Sequence, residues 1–104
     1  MPKYHNPEIT LDDDMRWYVD FGCDVPFPSF LHSGSWEDYS DRYLQYYNFV
    51  QLFRDHEGMY SFAFGTVFDD NTEIDEESMQ IVPEERVHEL IEFFNKHPEV
   101  TRND

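Results

Sequence analysis

The hydrophobic and polar positions of the chain alternate with a period of two in two stretches. Trp17, Val19 and Phe21 are separated by more polar residues, and residues 59–68 repeat the alternation. A period of two is typical of a strand with one buried face. The sequence therefore predicts strands over residues 17–21 and 59–68.

Two shorter segments have the same character. Residues 79–82 are predicted to form a short third strand, and Ile9 and Leu11 suggest another near the N-terminus. Gly65 interrupts the apolar run of the second long strand, which indicates a β-bulge there.

The C-terminal third of the chain carries a helical pattern. Pro83 suits the first position of a helix, and the glutamates after it favour the positive end of the helix dipole. Four apolar residues form one face and three glutamates form another: Val87, Leu90, Ile91 and Phe94, against Glu85, Glu89 and Glu92. The spacing predicts an amphipathic helix over residues 83–96.

Residues 35–56 fit two different structures. Ser35 is a suitable helix N-cap, acidic residues follow it, and Gly58 lies just beyond the far end. Apolar residues also recur at helical spacing through the segment, which favours one central helix. However, Tyr, Phe and Val prefer strands, so residues 47–53 and 60–68 also fit a hairpin. We favour the helix and keep the hairpin as the alternative.

Length and composition fit one folded domain. The chain has 104 residues, and 18% of them are aromatic, whereas a disordered acidic segment is poor in aromatic residues. We expect a single domain over residues 1–104, with residues 1–7 and 101–104 loose. The predicted fold class is α+β: a small antiparallel β-sheet packed against a central and a C-terminal α-helix.

Charge restricts the partners that the protein can bind. Twenty-three acidic residues are set against seven basic ones, for a formal net charge of -16. This charge repels nucleic acid and anionic membranes, so we expect neither to bind directly. A basic protein surface is the favoured partner. The single cysteine and the lack of a signal-type or membrane-spanning apolar stretch predict a cytoplasmic protein.

Three patterns suggest chemistry, but each lacks a decisive residue. The His88 segment resembles a zinc-protease helix, yet Glu92 stands where the second histidine ligand is needed. Residues 69–77 are dense in oxygen ligands, but no glycine takes the sixth position of a calcium loop. Cys23 precedes an aspartate, whose charge disfavours a reactive thiolate. We expect no catalytic residue, metal or cofactor, and keep a small metal-dependent enzyme as a third hypothesis.

Clustered carboxylates and surplus aromatic rings indicate a binding surface. The chain has more rings than one small core readily buries, so some of them are candidate interface anchors. The candidate partner-binding residues are Asp12, Asp13, Asp14, Asp69, Asp70, Glu73, Asp75, Glu76, Glu77, Glu85, Glu89 and Glu92, with Tyr39 and Tyr43 as anchors.

These features predict an acidic inhibitor that occupies the nucleic-acid-binding surface of a basic partner protein and so acts as a DNA or RNA mimic. We expect it to be a monomer or a homodimer. Anti-restriction and anti-CRISPR proteins of bacterial viruses, and immunity proteins against nuclease toxins, are similar in size and charge. Carboxylates would speed association, and aromatic anchors would slow dissociation. A second hypothesis is a protein–protein interaction module or viral accessory protein that binds through an aromatic face, independently of salt.

Overall fold

The computed structural model describes residues 14–20, 23–31, 34–54 and 57–103. This part of the chain forms β1 (Asp14–Val19), α1 (Trp36–Tyr43), β2 (Phe49–Arg54), β3 (Tyr60–Phe68), β4 (Asn71–Ile74), β5 (Gln80–Val82), α2 (Val87–Lys96) and β6 (Val100–Asn103). Short 3₁₀ turns at Glu76–Ser78 and Glu84–Arg86 precede β5 and α2. None of the helices in these residues is long and apolar enough to cross a membrane.

The strands form one antiparallel sheet. Its order is β4-β3-β2-β1-β6, and β5 also pairs with β3. β4 pairs with residues 65–68 of β3 and β5 with residues 60–62. The two short strands therefore share the outer edge of β3. The predicted α+β class, with an antiparallel sheet and central and C-terminal helices, is confirmed.

Both helices pack on the same face of the sheet. From α1, the ring of Tyr39 stacks on Phe64 of β3 with the ring centroids 4.4 Å apart. From α2, Phe94 packs on Trp17 of β1 with a centroid separation of 5.5 Å. The predicted apolar face of the C-terminal helix is confirmed, because each of its four residues is at most 1% exposed: Val87, Leu90, Ile91 and Phe94.

A buried serine replaces a strand partner at the middle of the β3 edge. The Phe64 N–H donates to Ser78 Oγ at 2.9 Å, and the Phe64 carbonyl accepts from the Asp75 N–H at 2.9 Å. Ser78 is completely buried and its hydroxyl also donates to the Asp75 carbonyl at 2.6 Å. These bonds satisfy the β3 backbone between β4 and β5, so the 3₁₀ turn interrupts the edge without leaving polar groups unpaired.

The prediction of one central helix over residues 35–56 is wrong. The helix α1 starts after its predicted N-cap, Ser35, whose hydroxyl accepts from the Asp38 N–H at 3.2 Å, but it ends at Tyr43. Leu44 terminates it in a left-handed conformation, with φ 57°. The β-favouring residues that follow form β2, which pairs with β3 as the alternative hairpin predicted.

Other differences lie in the turns and at the C-terminus. Residues 101–103 are part of β6, which pairs with β1, so the prediction of a loose end is wrong for them. Residues 71–74, for which the sequence analysis predicted no strand, form β4. Gly65 pairs regularly with Phe49, so the predicted bulge is absent at this position. A Cβ at Gly65 would lie 2.3 Å from the Phe49 ring, so only glycine lets this ring pack against the β3 backbone. Three predicted features lie outside the described residues: the loose residues 1–7, the short strand suggested by Ile9 and Leu11, and the end of the first strand at Phe21.

Candidate functional site

The outer edge of the sheet carries six clustered carboxylates, which we call the acidic edge: Asp69, Asp70, Glu73, Asp75, Glu76 and Glu77. They fall within nine consecutive residues that contain no Lys or Arg. Asp69 and Asp70 form the turn between β3 and β4, and Glu73 lies on β4. Asp75 caps the first 3₁₀ turn, and Glu76 and Glu77 lie in it. All are exposed except Asp75, which is half-buried.

Backbone pairing fixes the shape of the acidic edge. Asp69 adopts a left-handed conformation, with φ 55°, which aspartate tolerates better than most residues and which closes the turn. Glu73 is held opposite Thr66 in the β3–β4 ladder. The Asp75 carboxylate caps the 3₁₀ turn by accepting from the Glu77 N–H at 3.1 Å. The chain therefore holds its charges on a hydrogen-bonded frame.

Tyr47 connects the acidic edge to the core. Its ring packs on Phe64 at a centroid distance of 5.3 Å, and its hydroxyl donates to the Asp75 carboxylate. Burial raises the pKa of Tyr47 well above the ordinary tyrosine value, and the hydrogen bond to Asp75 raises it further. The hydroxyl therefore keeps its proton and orients Asp75. Tyr47 and Asp75 line a cleft of about 430 Å³ together with Glu73, Glu76 and Glu77.

The nine residues of the acidic edge include no Lys or Arg, whereas basic residues lie close to the glutamates of the C-terminal helix. Arg86, in the 3₁₀ turn before α2, forms an ion pair with Glu89 of the helix at 2.8 Å. This ion pair lies on the predicted stripe of Glu85, Glu89 and Glu92, which therefore mixes acidic and basic groups. A groove beside this stripe also includes Lys96. The acidic edge thus carries the more uniform negative charge.

The structure separates the two acidic groups that the sequence analysis combined. The α2 helix follows β5, at the Tyr60 end of β3, whereas the acidic edge begins beyond Phe68 at the other end. Asp14 begins β1, opposite Phe53, while Asp12 and Asp13 lie outside the described residues.

The proposed anchors Tyr39 and Tyr43 take different positions. Tyr39 is 1% exposed and its hydroxyl donates to the Ser78 carbonyl, so it is a core residue and is not accessible to a partner. Tyr43 is half-buried against Tyr39. The rings of the loop over residues 27–31 also pack on the core, where Phe27 is 8% exposed. The surplus of rings is therefore largely absorbed by the core.

Among the described residues, the two rings that are more than half exposed are ones that the sequence analysis did not select. Tyr46 is 81% exposed and Phe68 is 69% exposed. The prediction of one helix over residues 35–56 gave no signal that Tyr46 would be exposed, because it placed this residue in the wrong secondary structure.

The described residues include no group of three or more His, Cys, Asp or Glu side chains that is placed to hold a metal ion. Comparison with protein-family models, with curated proteins and with solved structures found no match to this chain.

Proposed function

We propose that this protein binds the basic, nucleic-acid-binding surface of a partner protein, with the acidic edge in the place of a phosphate backbone. The observation that supports the proposal is the acidic edge itself. It has six carboxylates within nine residues, and these nine residues contain no Lys or Arg.

The charge density of the acidic edge is close to that of a nucleic-acid strand. At about 3.3 Å per extended residue, the nine residues span at most about 30 Å, so their carboxylates average no more than ~5 Å apart along the chain. One strand of duplex DNA presents a phosphate about every 3.4 Å. Along the chain, the acidic edge therefore carries a charge density of the same order as a nucleic-acid strand, which suits Lys and Arg side chains that bind phosphates.

The frame of the acidic edge favours binding because it is ordered before a partner arrives. The β3–β4 pairing, the Asp75 cap and the buried Ser78 fix the backbone that carries the charges. Less conformational freedom is then lost on association. The net charge of -16 also draws a cationic partner from a distance and raises the association rate.

The first test neutralises three exposed carboxylates of the acidic edge. The partner is captured from a nuclease-treated lysate of the native host, eluted with salt and purified. We expect the triple variant Asp69→Asn, Asp70→Asn and Glu73→Gln to bind it about tenfold more weakly, since each exposed ion pair contributes roughly 0.2–1 kcal/mol. Surface plasmon resonance measures the loss, which we expect mainly in the association rate.

A matched triple variant makes the same change of net charge elsewhere. Asp20→Asn, Asp38→Asn and Glu99→Gln alter three exposed carboxylates outside the acidic edge. We expect this variant to lose no more than about threefold in affinity, through the long-range field alone. Equal losses in the two variants would contradict a specific role for the acidic edge.

A further inference from the structure

We infer that Tyr46 and Phe68 form, with the carboxylates beside them, a docking surface that selects arginine over lysine in the partner. This inference rests on the proposed function and names the chemistry that the partner presents. Among the described residues, Tyr46 and Phe68 are the aromatic side chains that are more than half exposed.

Hydrogen bonds hold the backbone that carries the two rings at one end of the sheet. Thr66 Oγ1 donates to the Tyr46 carbonyl at 2.7 Å, and Phe68 follows two residues later on the same face of β3. The Asn48 side chain pairs with Val67, accepting from its N–H at 2.8 Å and donating to its carbonyl at 2.9 Å. The backbone that presents both rings is therefore fixed, although the rings themselves are largely exposed to solvent.

Carboxylates flank these rings on both sides. On one side, Tyr46 borders a small cavity of about 110 Å³ that Glu37 and Asp41 of α1 also line. On the other side, Phe68 leads directly into Asp69 of the acidic edge. An apolar ring between carboxylates complements a side chain that is both flat and cationic.

Arginine fits this combination better than lysine. Its planar guanidinium stacks on an aromatic face while its edge donates to carboxylates, whereas the ammonium of lysine is compact and strongly hydrated. The chain already uses this contact internally. The Arg16 guanidinium lies 4.3 Å from the centroid of the Phe49 ring, and that of Arg86 lies 5.1 Å from the Phe30 ring.

The probes for this inference are two short synthetic peptides, in which serine alternates with arginine in one and with lysine in the other. Affinities are measured by isothermal titration calorimetry at low ionic strength, where surface charges are least screened. We expect wild type to prefer the arginine peptide. An exposed cation–π contact contributes about two- to fivefold in affinity per ring.

The decisive comparison uses a double variant, Tyr46→Leu with Phe68→Leu, which keeps apolar side chains but removes both rings. We expect its preference for arginine to fall by about threefold or more, while its binding to the lysine peptide stays within about twofold of wild type. The control Met59→Leu with Ile81→Leu changes exposed apolar residues at the opposite end of β3 and should keep the preference.

The outcomes separate this inference from the proposed function. If both peptides bind with strong salt dependence, but the arginine preference survives in the ring variant or falls equally in the control, the inference is wrong and the acidic edge remains a cation-binding surface. If neither peptide binds to wild type, the proposed function is contradicted and the inference with it.

Discussion

At the scale of single residues, Tyr47 contributes both to the packing of the core and to the geometry of the candidate site. Its carbonyl accepts from Trp36 Nε1 at 3.1 Å, its ring contacts the core, and its hydroxyl orients Asp75. Burial raises the pKa of Tyr47, and burial, followed by a hydrogen bond with Tyr43, raises that of Tyr39. Both phenols therefore resist ionisation in the folded protein.

The raised pKa values predict a loss of stability at alkaline pH. In the unfolded chain both phenols ionise near the ordinary value of about 10, whereas in the folded chain they hold their protons to higher pH. Folding then binds protons, so the free energy of unfolding falls as pH rises above about 10. Below that value the stabilisation is fully present.

The variant Tyr47→Phe removes one of the two phenols responsible. We expect its free energy of unfolding to fall less steeply between about pH 10 and 11.5, with a slope smaller by up to ~1.4 kcal/mol per pH unit. Urea unfolding at a series of pH values measures the slope. Tyr46→Phe, which alters an exposed hydroxyl, is the control; identical slopes for all three proteins would refute this explanation.

At the scale of elements, the end of α1 decides the fold of the chain after it. The Leu44 N–H donates to the Asp41 carbonyl at 3.2 Å, and the Gln45 N–H donates to the Ser40 carbonyl at 3.0 Å. This is the Schellman arrangement, in which glycine normally takes the left-handed position that Leu44 fills here. Leu44 is also 88% exposed, so its side chain offsets none of the strain.

Replacing Leu44 by glycine should therefore stabilise the protein. Glycine removes the left-handed strain of about 1–2 kcal/mol and loses part of that gain to chain entropy, so we expect Leu44→Gly to raise the free energy of unfolding by about 0.5–1 kcal/mol. Urea unfolding at neutral pH tests this. Leu44→Ala, which keeps a Cβ, should show no such gain, and a loss of stability on Leu44→Gly would show that the leucine side chain stabilises the fold.

This helix end also shows how far the sequence predicts the fold. Local signals were sufficient for β3, for the apolar face of α2 and for the Ser35 cap, because periodicity and capping are properties of neighbouring residues. They failed at Leu44, where a residue other than glycine ends the helix. They also failed for β6, since four residues form a strand only because β1 offers them a partner.

The candidate site likewise combines features that are local in the sequence with features that depend on tertiary packing. The acidic edge was predicted because its charges are contiguous in the sequence. Tyr39 and Tyr46 were not distinguished because exposure depends on tertiary packing, which placed Tyr39 against Phe64 and turned Tyr46 outward. The acidic edge is likewise separated from the stripe of Glu85, Glu89 and Glu92 by the order of the strands in the sheet, which is not a local property of the sequence.

At the scale of the whole molecule, the negative charge is both the cost and the proposed use of this fold. A net charge of -16 repels itself within a small domain. Aromatic packing around Phe64 offsets part of that repulsion, because rings from α1 and from the loop before it surround this one residue. The carboxylates are left at the surface, and six of them fall within the nine residues of the acidic edge.

Competition with nucleic acid tests the central claim most directly. The captured partner is first bound to labelled DNA or RNA, this protein is then titrated in, and fluorescence anisotropy reports the release of the nucleic acid. We predict complete displacement, with an apparent affinity that weakens steeply as salt rises, because both ligands occupy one basic surface. A stable ternary complex of partner, nucleic acid and this protein, with an affinity independent of salt, would contradict the account.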